Sequence, residues 1–165
     1  MSGKSCCKLV SLDTSSSCTG WSVFLNGKYT SSGVINLKKF KGSGQERMDE
    51  MCISIARLLD REQPDIIVVE ETAVTRNAAA QRMLTMILGF VYAWCLLRDT
   101  YFEMMKPTVW RSLISSEKKG RKREELKEWS INKVMELYGI EVIDDQSDAI
   151  LIGQAYVNKM IKYLT

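Results

Sequence analysis

The sequence predicts an α/β domain over residues 1–165: a five-stranded mixed sheet, three antiparallel strands and then parallel ones, flanked by helices. Three observations lead there. Residues 8–37 read as consecutive extended segments joined by short turns, the pattern of a meander. The run Ile66-Ile67-Val68-Val69 is continuously apolar, which suits a strand covered on both faces. From residue 45 onward helical periodicity alternates with strands, and no repeat, low-complexity tract or linker marks a second unit.

Residues 8–13 form a short apolar strand that ends in Asp13. A small-residue turn leads to a second strand at 20–27, where Asn26-Gly27 is the two-residue signature of a tight hairpin. A third strand follows at 29–37, then a polar loop at 38–44. Met48, Met51, Ile55, Leu58 and Leu59 recur at three- and four-residue steps, predicting a helix over 45–62 that Pro64 ends. Residues 65–70 make the fourth strand, ending in Glu70, and 77–97 a long helix. The fifth strand is 101–105, and 108–114 a short helix or helical turn. A basic run at 118–123 leads into an amphipathic helix over 124–138, for which Gly139 is a natural C-terminal cap. The last helix, 145–163, begins in acids. The order is βββ-α-β-α-β-α-α.

Composition narrows the chemistry. With 45% hydrophobic and 26% charged residues the chain can build an ordinary core. It contains no histidine, so a His-based triad, a Cys-His dyad and a His-ligated zinc are all excluded. Five cysteines in no framework spacing, with no apolar export core at the N-terminus, imply a reduced, cytoplasmic setting. The longest apolar stretches read as short or interrupted, so no membrane span is expected. Catalysis, if any, must come from Asp, Glu, Lys, Ser, Cys or a hard metal held by oxygen.

The acids are placed for the last of these. Asp13 and Glu70 end two strands, and if those run parallel and adjacent their C-terminal ends coincide, where open α/β sheets bind ligands. Asp145 and Asp148 stand three residues apart on one helix face. Crowded carboxylates repel and resist desolvation, and a hard divalent ion such as Mg²⁺ or Mn²⁺ relieves both costs. Each acid also has a plainer reading: Asp13 as a turn former, Glu70 as a surface charge, Asp145 and Asp148 as N-terminal helix acids. Their joint placement favours a metal site. Glu71 and Asp144 stand beside these as supporting candidates, and Asp144 competes with Asp145 because Asp144 and Asp148 share a face too.

At these positions the chain resembles the RuvC-type Holliday junction resolvases of the RNase H-like superfamily. Leu12-Asp13-Thr-Ser-Ser-Ser-Cys-Thr19-Gly20-Trp21 is similar to that family's first strand and hairpin. Val68-Val69-Glu70 with Arg76-Asn77 resembles its strand-end Glu, and Asp145-Gln-Ser-Asp148-Ala149 its closing helix motif. The resemblance covers residues 8 to about 160. It implies an RNase H-like fold and a Mg²⁺-dependent endonuclease, with Mn²⁺ as substitute, that resolves four-way junctions and other branched DNA as a homodimer. It implies Asp13, Glu70, Asp145 and Asp148 as catalytic metal ligands. Forks, flaps and RNA–DNA hybrids are alternative substrates, and a non-catalytic branched-DNA-binding module is the alternative class. Two departures stand out. Some members carry an aromatic residue three positions after the strand-end Glu, where this chain has Ala73, and Asp-Thr-Ser replaces the frequent Asp-Pro-Gly, a variant similar to phage and prophage relatives.

For DNA contact the candidates are Arg76, Asn77, Lys118, Lys119, Arg121, Lys122 and Arg123, with the plainer reading that a charge run is a solvated loop. Lys38, Lys39, Lys41, Arg82, Lys106 and Arg111 extend a positive rim. Ser15, Ser16 and Ser17 serve equally as phosphate donors or a polar turn. Trp110 and Trp129, at helical spacing among apolar residues, are assigned to core packing rather than base stacking. The long helix, with Met83, Met86, Ile87, Phe90, Val91 and Trp94, is apolar enough for core and dimer contacts alike.

Overall fold

The computed structural model describes residues 7–71, 77–117 and 122–164. Lys8–Asp13 (β1), Cys18–Leu25 (β2) and Lys28–Asn36 (β3) form the antiparallel meander. Asn26 and Gly27 take φ of 52° and 76°, the two left-handed residues that a tight hairpin requires. Gly44–Glu62 (α1) starts at Ser43, whose hydroxyl accepts from the Glu46 N–H while the Glu46 carboxylate accepts from the Ser43 N–H. Gln63, in the left-handed region at φ 46°, ends that helix one residue before Pro64.

Ile66–Glu70 (β4) adds parallel to β1, and Tyr101–Met105 (β5) parallel to β4, giving the order β3-β2-β1-β4-β5. The predicted mixed sheet is therefore present, with β1 at its centre. Between β4 and β5 runs Ala78–Leu97 (α2); Pro107–Ile114 (α3), Arg123–Tyr138 (α4) and Asp144–Leu164 (α5) follow. Residues 107–114 form a helix of two turns opened by Pro107, so the order closes on three helices rather than two.

Strand alternation divides the core. Val10, Leu12, Ile67 and Val69 face α1 and α2, meeting Met51, Ile55, Leu59, Ile87 and Val91. Leu9 and Val68 face the other way, toward Trp110, Val134, Ile150 and Ala155 of α3, α4 and α5. Each fully buried aliphatic side chain contributes about 1.5–3 kcal/mol of transfer free energy, so both layers are firmly seated.

The absence of an apolar stretch of spanning length is corrected by α2. Its 20 residues are long and apolar enough by composition to cross a membrane, with a mean hydropathy of 1.4. Gln81 and Arg82 break the run in sequence, but a helix absorbs them in its first turns. Only 22% of that apolar window is buried. Ile87, Val91, Trp94 and Cys95 enter the core, while Met86, Tyr92, Leu96 and Leu97 face outward.

Candidate active site

The site is assembled at the C-terminal ends of β1 and β4. Because the two strands are parallel neighbours, Asp13 and Glu70 finish at the same edge, on the face covered by α3, α4 and α5. Glycine at position 20 lets α5 reach them. Gly20 pairs across the ladder with Asp13, and a Cβ there would lie 1.8 Å from the Asp145 carbonyl oxygen. No other residue fits between strand and helix. Buried serines fix the depth: the hydroxyls of Ser11 and Ser22, 2.5 Å apart, both reach the Ala149 carbonyl, at 2.7 and 3.1 Å. Those contacts hold the residue next to Asp148.

Asp13, Glu70, Asp144, Asp145 and Asp148 thus line one cavity of about 440 Å³, together with Ser15, Arg111, Arg123, Leu126 and Lys127. All four predicted ligands are brought together. Asp144 joins them, and Glu71, one residue past the end of β4, is not among the lining residues. Burial, then the charges of Glu70, Asp148, Asp145 and Asp144 in that order, push Asp13 well above the usual carboxylate range. Burial first, and Glu70 and Asp144 after it, push Asp148 up to about 6, against opposing effects of Ser130 and Arg111. Glu70 is raised by burial and pulled back by Trp110 and Arg111.

Three cations pair with acids of the cavity. Lys127 Nζ lies 2.8 Å from Asp144, Lys38 Nζ 3.5 Å from Asp145, and Arg111 Nη2 3.9 Å from Asp148. The Cys18 thiol is pushed up to about 12, by burial foremost and by Asp145 after it. Among the described residues no three acids or thiols already stand at metal-ligating spacing. The residues nevertheless fit a hard divalent cation. The donors are all carboxylate oxygens, their mutual repulsion opposes ionisation, and Asp148 Oδ1 is buried with no hydrogen-bond partner. Ser130 comes near enough to influence Asp148, yet neither its Oγ nor Asp148 Oδ1 makes a well-formed hydrogen bond.

Those shifts have a stability consequence. Burial favours the neutral acid, so Asp148 supports the folded state fully only below its unfolded value near 3.8, and less as pH climbs through about 6. Asp148→Asn is therefore expected to raise the melting temperature of metal-free protein by a few degrees at pH 7.5, at about 2–4 °C per kcal/mol. At pH 4 the difference should vanish. Calorimetric melts of both proteins in EDTA across that range check it; a variant less stable at pH 7.5 would contradict it.

Sequence reading missed three contributors. Trp110 is a fully buried core residue, as expected, but its indole N–H donates to Glu70 Oε2 at 2.6 Å. Arg111, read as rim, folds into the cavity with its guanidinium 4.4 Å from the Trp110 ring centroid. Lys127 was unremarked because nothing local distinguishes it from other helix lysines. Of the DNA-contact candidates, Arg123 lines the cavity and Lys122 stands exposed at the start of α4. The side-chain oxygen of Asn77 is committed to capping α2, accepting from Ala79 and Ala80. Arg76, Lys118, Lys119 and Arg121 lie outside the described residues, as does Ala73. Ser15 forms a polar turn, its hydroxyl donating to the Cys18 carbonyl.

This arrangement, a five-stranded mixed sheet flanked by helices with acids at its central strand ends, is the RNase H-like fold. Within that class it is the fold of the Holliday junction resolvases. The chain is similar to Thermus thermophilus RuvC in complex with Holliday junction substrate, with a TM-score of 0.73 and 14% identity over 94% of this chain and 96% of that one. It is similar to the fowlpox virus resolvase complexed with Holliday junction DNA, with a TM-score of 0.63 and 16% identity over 93% and 99%. It is also similar to the yeast mitochondrial Holliday junction resolvase Ydc2, with a TM-score of 0.59 and 15% identity over 94% and 80%. No protein-family model matches the chain, and no curated protein does at a significant level.

Proposed function

We propose that the chain is a Mg²⁺-dependent endonuclease that resolves four-way DNA junctions by paired phosphodiester hydrolysis, acting as a homodimer. The observation that carries this is the convergence of carboxylates from β1, β4 and α5 in one cation-rimmed cavity. The fold shared with proteins solved on Holliday junction DNA supports the choice of substrate. Asp13, Glu70, Asp145 and Asp148 are the ligands, with Asp144 as support. When bound, Mg²⁺ (or Mn²⁺) supplies positive charge that favours attack of water on the phosphodiester and steadies the departing oxygen. The acids would hold that charge, and Lys127, Lys38 and Arg111, paired with acids in this structure, would then be available to the phosphate, with Arg123 at the mouth for the flanking backbone.

The test is cleavage of a synthetic four-way junction with Mg²⁺ and with EDTA, beside forks, flaps and RNA–DNA hybrids. Symmetric nicks that require Mg²⁺ are expected. A junction left intact and poorly bound would overturn the proposal, and a preference for hybrids would move the substrate.

For the dimer, the outward face of α2 offers Met86, Tyr92, Leu96 and Leu97, with Gly89 open to close approach. Leu96→Glu, at a position 64% exposed, should leave the fold intact and convert the dimer to monomer. Sedimentation equilibrium reads the change, and paired incision should decay into single nicks. A variant that stays dimeric places the interface elsewhere.

A further inference from the structure

We infer that Trp110 is a positioning residue for Glu70: its indole N–H holds one carboxylate oxygen so that the other is presented to a divalent cation. The inference rests on the reading of Glu70 as a metal ligand. A buried tryptophan needs a partner for its single donor, and a backbone carbonyl would serve. Here the partner is a carboxylate on another element, 40 residues away in sequence, at 2.6 Å. Such a charge-assisted bond is about twice as strong as a neutral one, and Trp110 is fully buried, so water does not compete for the donor.

The indole is itself fixed. Pro107 opens α3, the Trp110 backbone N–H donates to the Lys106 carbonyl at 3.0 Å, and Trp129 packs with its ring centroid 6.4 Å away. The ring therefore does not follow Glu70; Glu70 follows the ring. With Oε2 committed, Oε1 remains for the cation. Arg111 lies over the face of the same indole, so the edge and the face perform different tasks.

Trp110→Phe separates them, because it keeps an aromatic face for Arg111 and removes the N–H. Mn²⁺ binding, measured by calorimetry and by the paramagnetic resonance of free Mn²⁺, should weaken by about tenfold or more, as losses of outer-shell partners do. Junction affinity in EDTA should stay within about twofold, since the face that carries Arg111 is retained. A second readout needs no substitution. In the ¹H–¹⁵N spectrum of the unaltered chain, one indole N–H resonance should lie downfield and move as Mg²⁺ is added. A folded Trp110→Phe protein that binds Mn²⁺ as tightly as the original chain overturns the inference alone. So does a chain that binds Mg²⁺ with all indole resonances unmoved. Absence of any Mn²⁺ binding by the original chain overturns the metal reading and the inference together.

Discussion

Asp13→Asn is expected to abolish junction cleavage, by on the order of 10³-fold or more, while junction binding and folding survive. Asp13 stands on the central strand, and all the other cavity acids act on it: Glu70 most, then Asp148, Asp145 and Asp144. The amide keeps the size and removes the charge, so the crowding that opposes ionisation eases. Metal-free Asp13→Asn should thus melt no lower than the original chain at neutral pH, and Mg²⁺ should raise its melting point less. Single-turnover cleavage with gel-shift binding and melts in EDTA and Mg²⁺ would measure all three. Cleavage that persists within tenfold would remove Asp13 from the metal site, and loss of folding would make it a structural residue.

Gly20→Ala is expected to damage the site from a position that bears no chemistry. The new Cβ would lie 1.8 Å from the Asp145 oxygen and 2.5 Å from its carbonyl carbon, and both are backbone atoms. No flexible side chain can yield, so the first turn of α5 must lift from the sheet. Overpacking of this kind costs about 1–3 kcal/mol and occasionally more. The displacement carries Asp144, Asp145 and Asp148 away from Asp13 and Glu70, and misplacement by about 1 Å can cost roughly 10²-fold in rate. Denaturant melts should show the stability loss. Mg²⁺ should protect the variant less than the original chain. Unchanged cleavage would mean that α5 docks without this close approach. Gly153 allows a second such approach of the same helix, against Phe24 and Ser11.

Much of the architecture was legible because it is written locally. Periodicity located the elements to within a residue or two, and Asn26-Gly27 specified the hairpin. The errors were also local in kind. Gln63 rather than Pro64 ends α1, because the left-handed conformation that terminates a helix has no unique residue signature. The spanning length of α2 was missed because polar residues near its start were counted as interruptions.

What the sequence determined by itself was the chemistry on offer. With no histidine, His-based catalysis and His-ligated zinc were excluded, and acids at the ends of two strands and the head of a helix favoured a hard-metal site. The offset to Asn77 selected Glu70 over Glu71 as the strand-end acid. Tertiary structure decided the rest. Whether Asp144 joins Asp145, which lysine meets which acid, and where the Trp110 N–H is spent all depend on how α3, α4 and α5 lie across the sheet. Those contacts join residues from 17 to more than 100 positions apart. No local period encodes such a distance; only the packing of side chains, settled once the whole core is closed, selects the partner.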